Sequence, residues 1–158
     1  MPLSILPLNE ANARACATWR YETPLDFYNF NPTEIEKNVQ YFLDSSNHFY
    51  GIFEEQEFAG FCSFGEDGQV NGGDYNVPAL DIGMGVCPDL IGKGRGIDYV
   101  EAVLNFACKE FDPPMYRVTI AAFNQRALRV WSKAGFHPVN IFEAKLQGVA
   151  FVILVKTV

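Results

Sequence analysis

A chain of 158 residues that is 49% hydrophobic and 15% aromatic can bury a core without disulfide or metal support. Its length fits one domain, residues 1–158, and argues against a second independent core. A formal charge of −7 argues against nucleic acid, which needs clustered Lys and Arg, and is compatible with an amine or cationic partner.

Cys16, Cys62, Cys87 and Cys108 lie apart, with no paired spacing and no interleaved His. They fit neither a metal site nor a disulfide framework, and read as reduced thiols of a cytoplasmic protein. The first residues lack a basic segment before an apolar run, and no apolar stretch approaches ~18 residues, so neither a leader nor a membrane span is expected.

Residues 3–6 predict a short strand, and a helix follows Asn9 as N-cap, carrying Ala13, Cys16, Ala17 and Arg20. An aromatic, turn-prone stretch covers 19–28. Pro32 and Thr33 open a second helix with Ile35, Val39, Phe42 and Leu43 at helical spacing. Residues 48–54 and 58–64 predict two strands joined by an acidic turn, and a Gly- and Asn-rich loop runs over 65–76. The strand at 79–86 is interrupted by Gly83 and Gly85, a pattern that marks a bulge or a close approach to backbone. After a glycine-dense turn at 92–96, Ile97, Val100, Leu104, Ala107, Cys108 and Phe111 predict an amphipathic helix stopped by Pro113 and Pro114. A strand at 115–122, a helix at 124–133 capped by Gly135, and strands near 141–146 and 150–155 complete the chain. The order β-α-α-β-β-β-α-β-α-β-β predicts an α/β sandwich around a mixed sheet, not a Rossmann repeat.

The chemistry concentrates between Gly83 and Ile97. A strand feeds a turn with three alternating glycines, Gly92, Gly94 and Gly96, and the turn opens a long helix. Glycines let amide groups approach a ligand, and a helix N-terminus offers unpaired donors, so together they suit a diphosphate. Lys93 and Arg95 add charge there. The turn lacks the Ser or Thr of a Walker loop and the third glycine of a dinucleotide fingerprint. In isolation it also reads as a flexible connection that binds nothing.

Its context narrows this. Ile91-Gly92-Lys93-Gly94-Arg95-Gly96 resembles the acetyl-CoA signature of the GNAT superfamily, Q/R-x-x-G-x-G/A after a bulged strand. Further on, the run from Asn124 through Ala127 and Trp131 to Gly135-Phe136 resembles the second signature of that family, N-x-x-A-x-x-x-Y-x-x-x-G-F. The resemblance implies a mostly antiparallel central sheet of about seven strands flanked by four helices. It also implies an N-acetyltransferase using acetyl-CoA as cosubstrate and an unidentified amine as acceptor. Backbone groups of Met84, Gly85 and Val86 would pair with the pantetheine amides like an added strand. The turn from Ile91 through Gly92, Lys93, Gly94, Arg95 and Gly96 to Ile97 would hold the diphosphate. Asn124 would touch the cosubstrate or order its slot, and Trp131 would line it.

Two departures stand out. Ile91 replaces the usual Gln or Arg, although its amide still donates. Trp131 stands where many relatives carry a Tyr that protonates the leaving thiolate, and indole N–H cannot do that work. Trp131 therefore reads as a packing wall. The resemblance makes Asp81 the first candidate base, with a paired strand-end carboxylate as the alternative, and the Val86 N–H the group that polarises the thioester. It places the acceptor near Tyr21, Glu22, Asp26 and Tyr28, where packing is the competing role for the tyrosines. His48 and His137 stand alone, and Cys87 lacks the positive surroundings of a nucleophile. The departures motivate a second reading, a CoA-binding module without turnover, and a third is an interaction domain without a cosubstrate. The aromatic stretch also suits a homodimer contact.

Overall fold

The computed structural model describes residues 2–144 and 148–158. Its strands are β1 (Leu3–Pro7), β2 (Phe49–Glu54), β3 (Glu57–Phe64), β4 (Leu80–Val86), β5 (Met115–Ala121), β6 (His137–Ala144) and β7 (Val149–Thr157). They form one sheet in the order β1-β2-β3-β4-β5-β7-β6. Only the β4–β5 pair is parallel; every other neighbour is antiparallel. The helices are α1 (Glu10–Thr18), α2 (Ile35–Leu43), α3 (Gly96–Phe111) and α4 (Gln125–Lys133).

Each sheet face carries its own core. Ala13, Cys16 and Ala17 of α1 and Val39 and Phe42 of α2 pack with Phe49 and, on β3, Phe58 and Phe61. On the other face, Tyr99, Val100, Val103 and Leu104 of α3 meet Ile52, Cys62, Phe64 and Ile82, and Trp131 of α4 joins them. The alternation of β3 thus serves both layers at once. No helix of the described residues is long and apolar enough to cross a membrane.

Several boundaries differ from the sequence reading. Helix α1 stops at Thr18, where Trp19 caps it, so Arg20 falls outside the helix. His48 is a left-handed residue before β2 rather than its first member. The β2–β3 turn is two residues, Glu55 and Gln56, with φ of 51° and 73°. The hairpin is where the acidic turn predicts it, but the turn is tighter than expected, because Glu54 and Glu57 pair within the strands. Strand β6 begins at His137 instead of 141, and residues 145 and 146 lie outside the described residues. Most of β6 is exposed at the sheet edge, so it has little alternation to read.

Candidate active site

Strands β4 and β5 pair only at Leu80–Tyr116 and Asp81–Arg117, and then part. Beyond that point β5 continues beside β7, while β4 keeps β3 as its neighbour. Asp81 and Cys87 spend backbone groups on the β3 side, through Gly65 N–H to Asp81 C=O and Cys87 N–H to Ala59 C=O. By the alternation of an antiparallel ladder, Met84 and Val86 turn their amides and carbonyls into the gap left by β5. Gly85 spends its own on β3, so its contribution is the missing side chain: a Cβ there would collide with the Phe61 ring.

At the end of β4 the chain enters the glycine turn. Gly92 and Gly94 have φ of 79° and 75°, which other residues adopt only under strain. Among the described residues, the amides of Gly92, Lys93, Gly94, Arg95, Gly96 and Ile97 meet no acceptor, and Arg95 caps α3 without a side-chain bond. A helix start left so bare has donors to offer an anion. Nothing lies within 4 Å of a Cβ built on Gly94, whereas one on Gly96 would touch Val130 of α4 at 3.0 Å.

The two cations of this turn differ in what they do. Arg95 reaches Glu54 at 2.5 Å and Asp98 at 2.9 Å and lies over the Tyr99 ring. The hydrogen bond to Glu54 is the main reason its pKa is raised, and the two carboxylates neutralise its charge. Lys93 is exposed and outside the cavity lining. Arg126 of α4 instead comes within 3.5 Å of the Gly92 Cβ position.

A cavity of about 1410 Å³ runs from this turn, through the gap between β4 and β5, to the segment between α1 and α2. Small-molecule pockets usually hold ~300–1,000 Å³, so there is room for two ligands. Tyr21 and Tyr28 line it, but Glu22 and Asp26 do not: both carboxylates are exposed, which corrects their expected place at the site. The Tyr21 hydroxyl donates to the Val86 carbonyl at 2.7 Å, bolting the segment onto β4. Burial pushes the Tyr21 and Tyr28 phenols above their usual range. Asn124 caps α4 by accepting from Ala127 N–H, and its amide donates to the Tyr28 hydroxyl at 3.2 Å. Trp131 is 5% exposed, edge-on to Phe136, and forms part of the wall. His48, His137 and Cys87 stand outside the lining.

The family model for the acetyltransferase (GNAT) domain matches residues 5–137. The chain belongs to the GNAT family. Its fold also matches solved structures at low identity. A GNAT-family acetyltransferase from Bacillus anthracis superposes with a TM-score of 0.76 at 15% identity, over 99% of this chain and 95% of that one. Aminoglycoside acetyltransferase AAC(6')-Ib in complex with coenzyme A gives 0.78 at 17%, over 99% and 95%. A chimera of spermidine N-acetyltransferase SpeG from Vibrio cholerae and hSSAT gives 0.72 at 13%, over 99% and 96%. No curated protein matches the sequence significantly.

In this GNAT domain Asp81 is not a free base. It is 4% exposed and gives both oxygens to Arg117, at 2.7 and 2.8 Å, while Gln69 donates to it at 2.9 Å. Arg117 also donates to the Val77 carbonyl and faces the Tyr75 ring, so the ion pair fastens the β3–β4 loop to the sheet. Asp81 is absent from the cavity lining. The carboxylate that does line the cavity is Asp67, on a single 3-10 turn after β3. Ser63 donates to one of its oxygens at 2.8 Å and Tyr41 to the other at 2.7 Å. A Cβ on Gly83 would sit 3.1 Å from it, so the glycine keeps that approach open. Asp67 lies in the long polar loop, where sequence alone gives no sign of which carboxylate turns inward.

Proposed function

We propose that this protein transfers an acetyl group from acetyl-CoA to a primary amine, with both bound together in the one cavity. The observation that carries this reading is the row of unpartnered amides from Gly92 to Ile97, opening into the same space as the free edge of β4. Those amides suit the diphosphate, with Arg126 beside them, whereas the Ile91 N–H is already donated to the Pro88 carbonyl. Met84 offers strand-edge groups to the pantetheine amides, while the Val86 carbonyl is held by Tyr21, and Asn124 and Trp131 wall the slot. The solved relative that holds coenzyme A supports the same assignment.

Acetyl-CoA supplies an acyl group on a good leaving thiolate. The chain's own residues hold the amine nitrogen against it and manage protons. The Val86 N–H faces the position where negative charge builds on the carbonyl oxygen. Asp67 receives the acceptor as an ammonium ion and passes a proton to water, freeing the nitrogen to attack. The Tyr28 hydroxyl, protonated at neutral pH, takes over the donor role that Trp131 cannot fill. In balance, the ammonium loses two protons, one going to sulfur and one to solvent. The binding-only module gains no support, since the cavity extends well past the diphosphate turn to an oriented carboxylate.

The test is free thiol release from acetyl-CoA across a panel of amines. Release that needs both acetyl-CoA and an amine is expected. Tight coenzyme A binding with no amine-dependent release from any acceptor class would contradict the reading.

A further inference from the structure

We infer that the acceptor is a monoamine on an apolar or aromatic body, not a polycation; this rests on the acetyl-transfer reading and narrows it. The end of the cavity away from the glycine turn is walled by Trp19, Tyr21, Phe27, Tyr28, Phe30 and Phe61. Trp19 stacks on Phe61 at 22° and 6.3 Å, and Phe27 meets Tyr28 edge to face at 86°, so the wall offers both ring faces and ring edges. Phe27 and Tyr28 remain 38% and 37% exposed, apolar surface that an aromatic ligand would cover.

Charge decides the rest. Among the described residues, Asp67 is the one carboxylate in the lining; the other charged members, Arg95, Arg126 and Lys133, are cations of the turn and α4. One ammonium therefore finds one oriented carboxylate. A polyamine or an aminoglycoside would press further ammonium groups against aromatic rings or cations, each losing water without a partner. Glu22 and Asp26, which would have widened the acidic surface, point outside. The net charge of −7 resides elsewhere on the surface and does not line the cavity.

The experiment begins with calorimetric titration of coenzyme A into the full chain. Thiol release is then compared for phenethylamine and tryptamine against spermidine and kanamycin at equal concentration. At least about tenfold higher kcat/KM is expected for the aromatic monoamines, the loss of one buried charge-assisted partner being worth ~10- to 100-fold. In the coenzyme A complex, phenethylamine should bind more tightly than phenethyl alcohol by a similar factor. D67N should close that gap while leaving the Kd for coenzyme A unchanged; if D67N does not fold, the amine–alcohol comparison in the native protein still decides. Spermidine or kanamycin turned over as well as phenethylamine would overturn the inference. So would a protein that neither binds the aromatic amines in its coenzyme A complex nor acetylates them with acetyl-CoA. Failure to bind coenzyme A at all would instead overturn the acetyl-transfer reading, and this inference with it.

Discussion

Asp67 and Asp81 show how strongly position decides the work of a carboxylate. Asp81 is buried against Arg117, and such a pair is costly to break because the surviving charge stays desolvated. R117M should therefore lower stability by about 3–5 kcal/mol in chemical denaturation; a change below about 1 kcal/mol would show the pair to be dispensable. Tyr28 makes the complementary case on the kinetic side. Y28F should keep the coenzyme A affinity and lower kcat by about 10²-fold, with the loss shrinking for thioesters that have more acidic leaving thiols. An unchanged kcat would leave proton donation to solvent. The sequence made Asp81 prominent because it sits on the signature strand, whereas its Arg117 partner arrives from a strand far along the chain. Long-range pairing of that kind has no local signal. Asp67 was hidden for the opposite reason, lying in a polar loop whose path is fixed by contacts distant in sequence, among them Tyr41, Asp81, Arg117 and Thr119.

At the level of elements, legibility followed burial. The α3 and α4 patterns, the Asn124 cap and the glycine turn were readable because each has a local physical cause: periodic apolar faces, an N-cap oxygen and positive φ. Edge strand β6 and the end of α1 were misplaced because exposed residues there carry little pattern. The β2–β3 turn offers a direct check. Glu55 and Gln56 adopt left-handed φ, which costs roughly 1–2 kcal/mol per residue for side chains with a Cβ and less for Asn or Gly. Replacing the pair through E55N and Q56G should raise the Tm. A lower Tm would mean that the present side chains stabilise the hairpin in some other way. The α4 wall is equally testable. W131A should cost about 3–5 kcal/mol, as expected for a buried aromatic side chain, and coenzyme A should restore part of the lost Tm.

The whole molecule joins two cores through a sheet that is continuous except where β4 and β5 part. Stability and function meet along that line: Asp81–Arg117 closes the paired end, and the cavity opens the other. Burial also sets the alkaline limit of the fold. Desolvation pushes the Cys16 thiol up to about 12 and the Cys62 thiol higher still. These groups have raised folded pKa values, so their contribution is full below the unfolded value near 9 and fades as pH rises through the folded values. Denaturation midpoints should accordingly fall between pH 8 and pH 11, by up to about 1.4 kcal/mol per pH unit for each thiol; flat midpoints would contradict burial of both.

Acetyl-CoA binding, as proposed, depends on main-chain donors at the start of α3 gripping a diphosphate. Melting curves with and without coenzyme A test this most directly, using G94E as the control that places bulk and negative charge in the turn. At a hundredfold excess over Kd the native protein should gain ~2.7 kcal/mol, a Tm rise of roughly 5–10 °C, and G94E should gain nothing. A native protein whose Tm does not move at saturating coenzyme A, or a G94E variant that rises just as far, would contradict it.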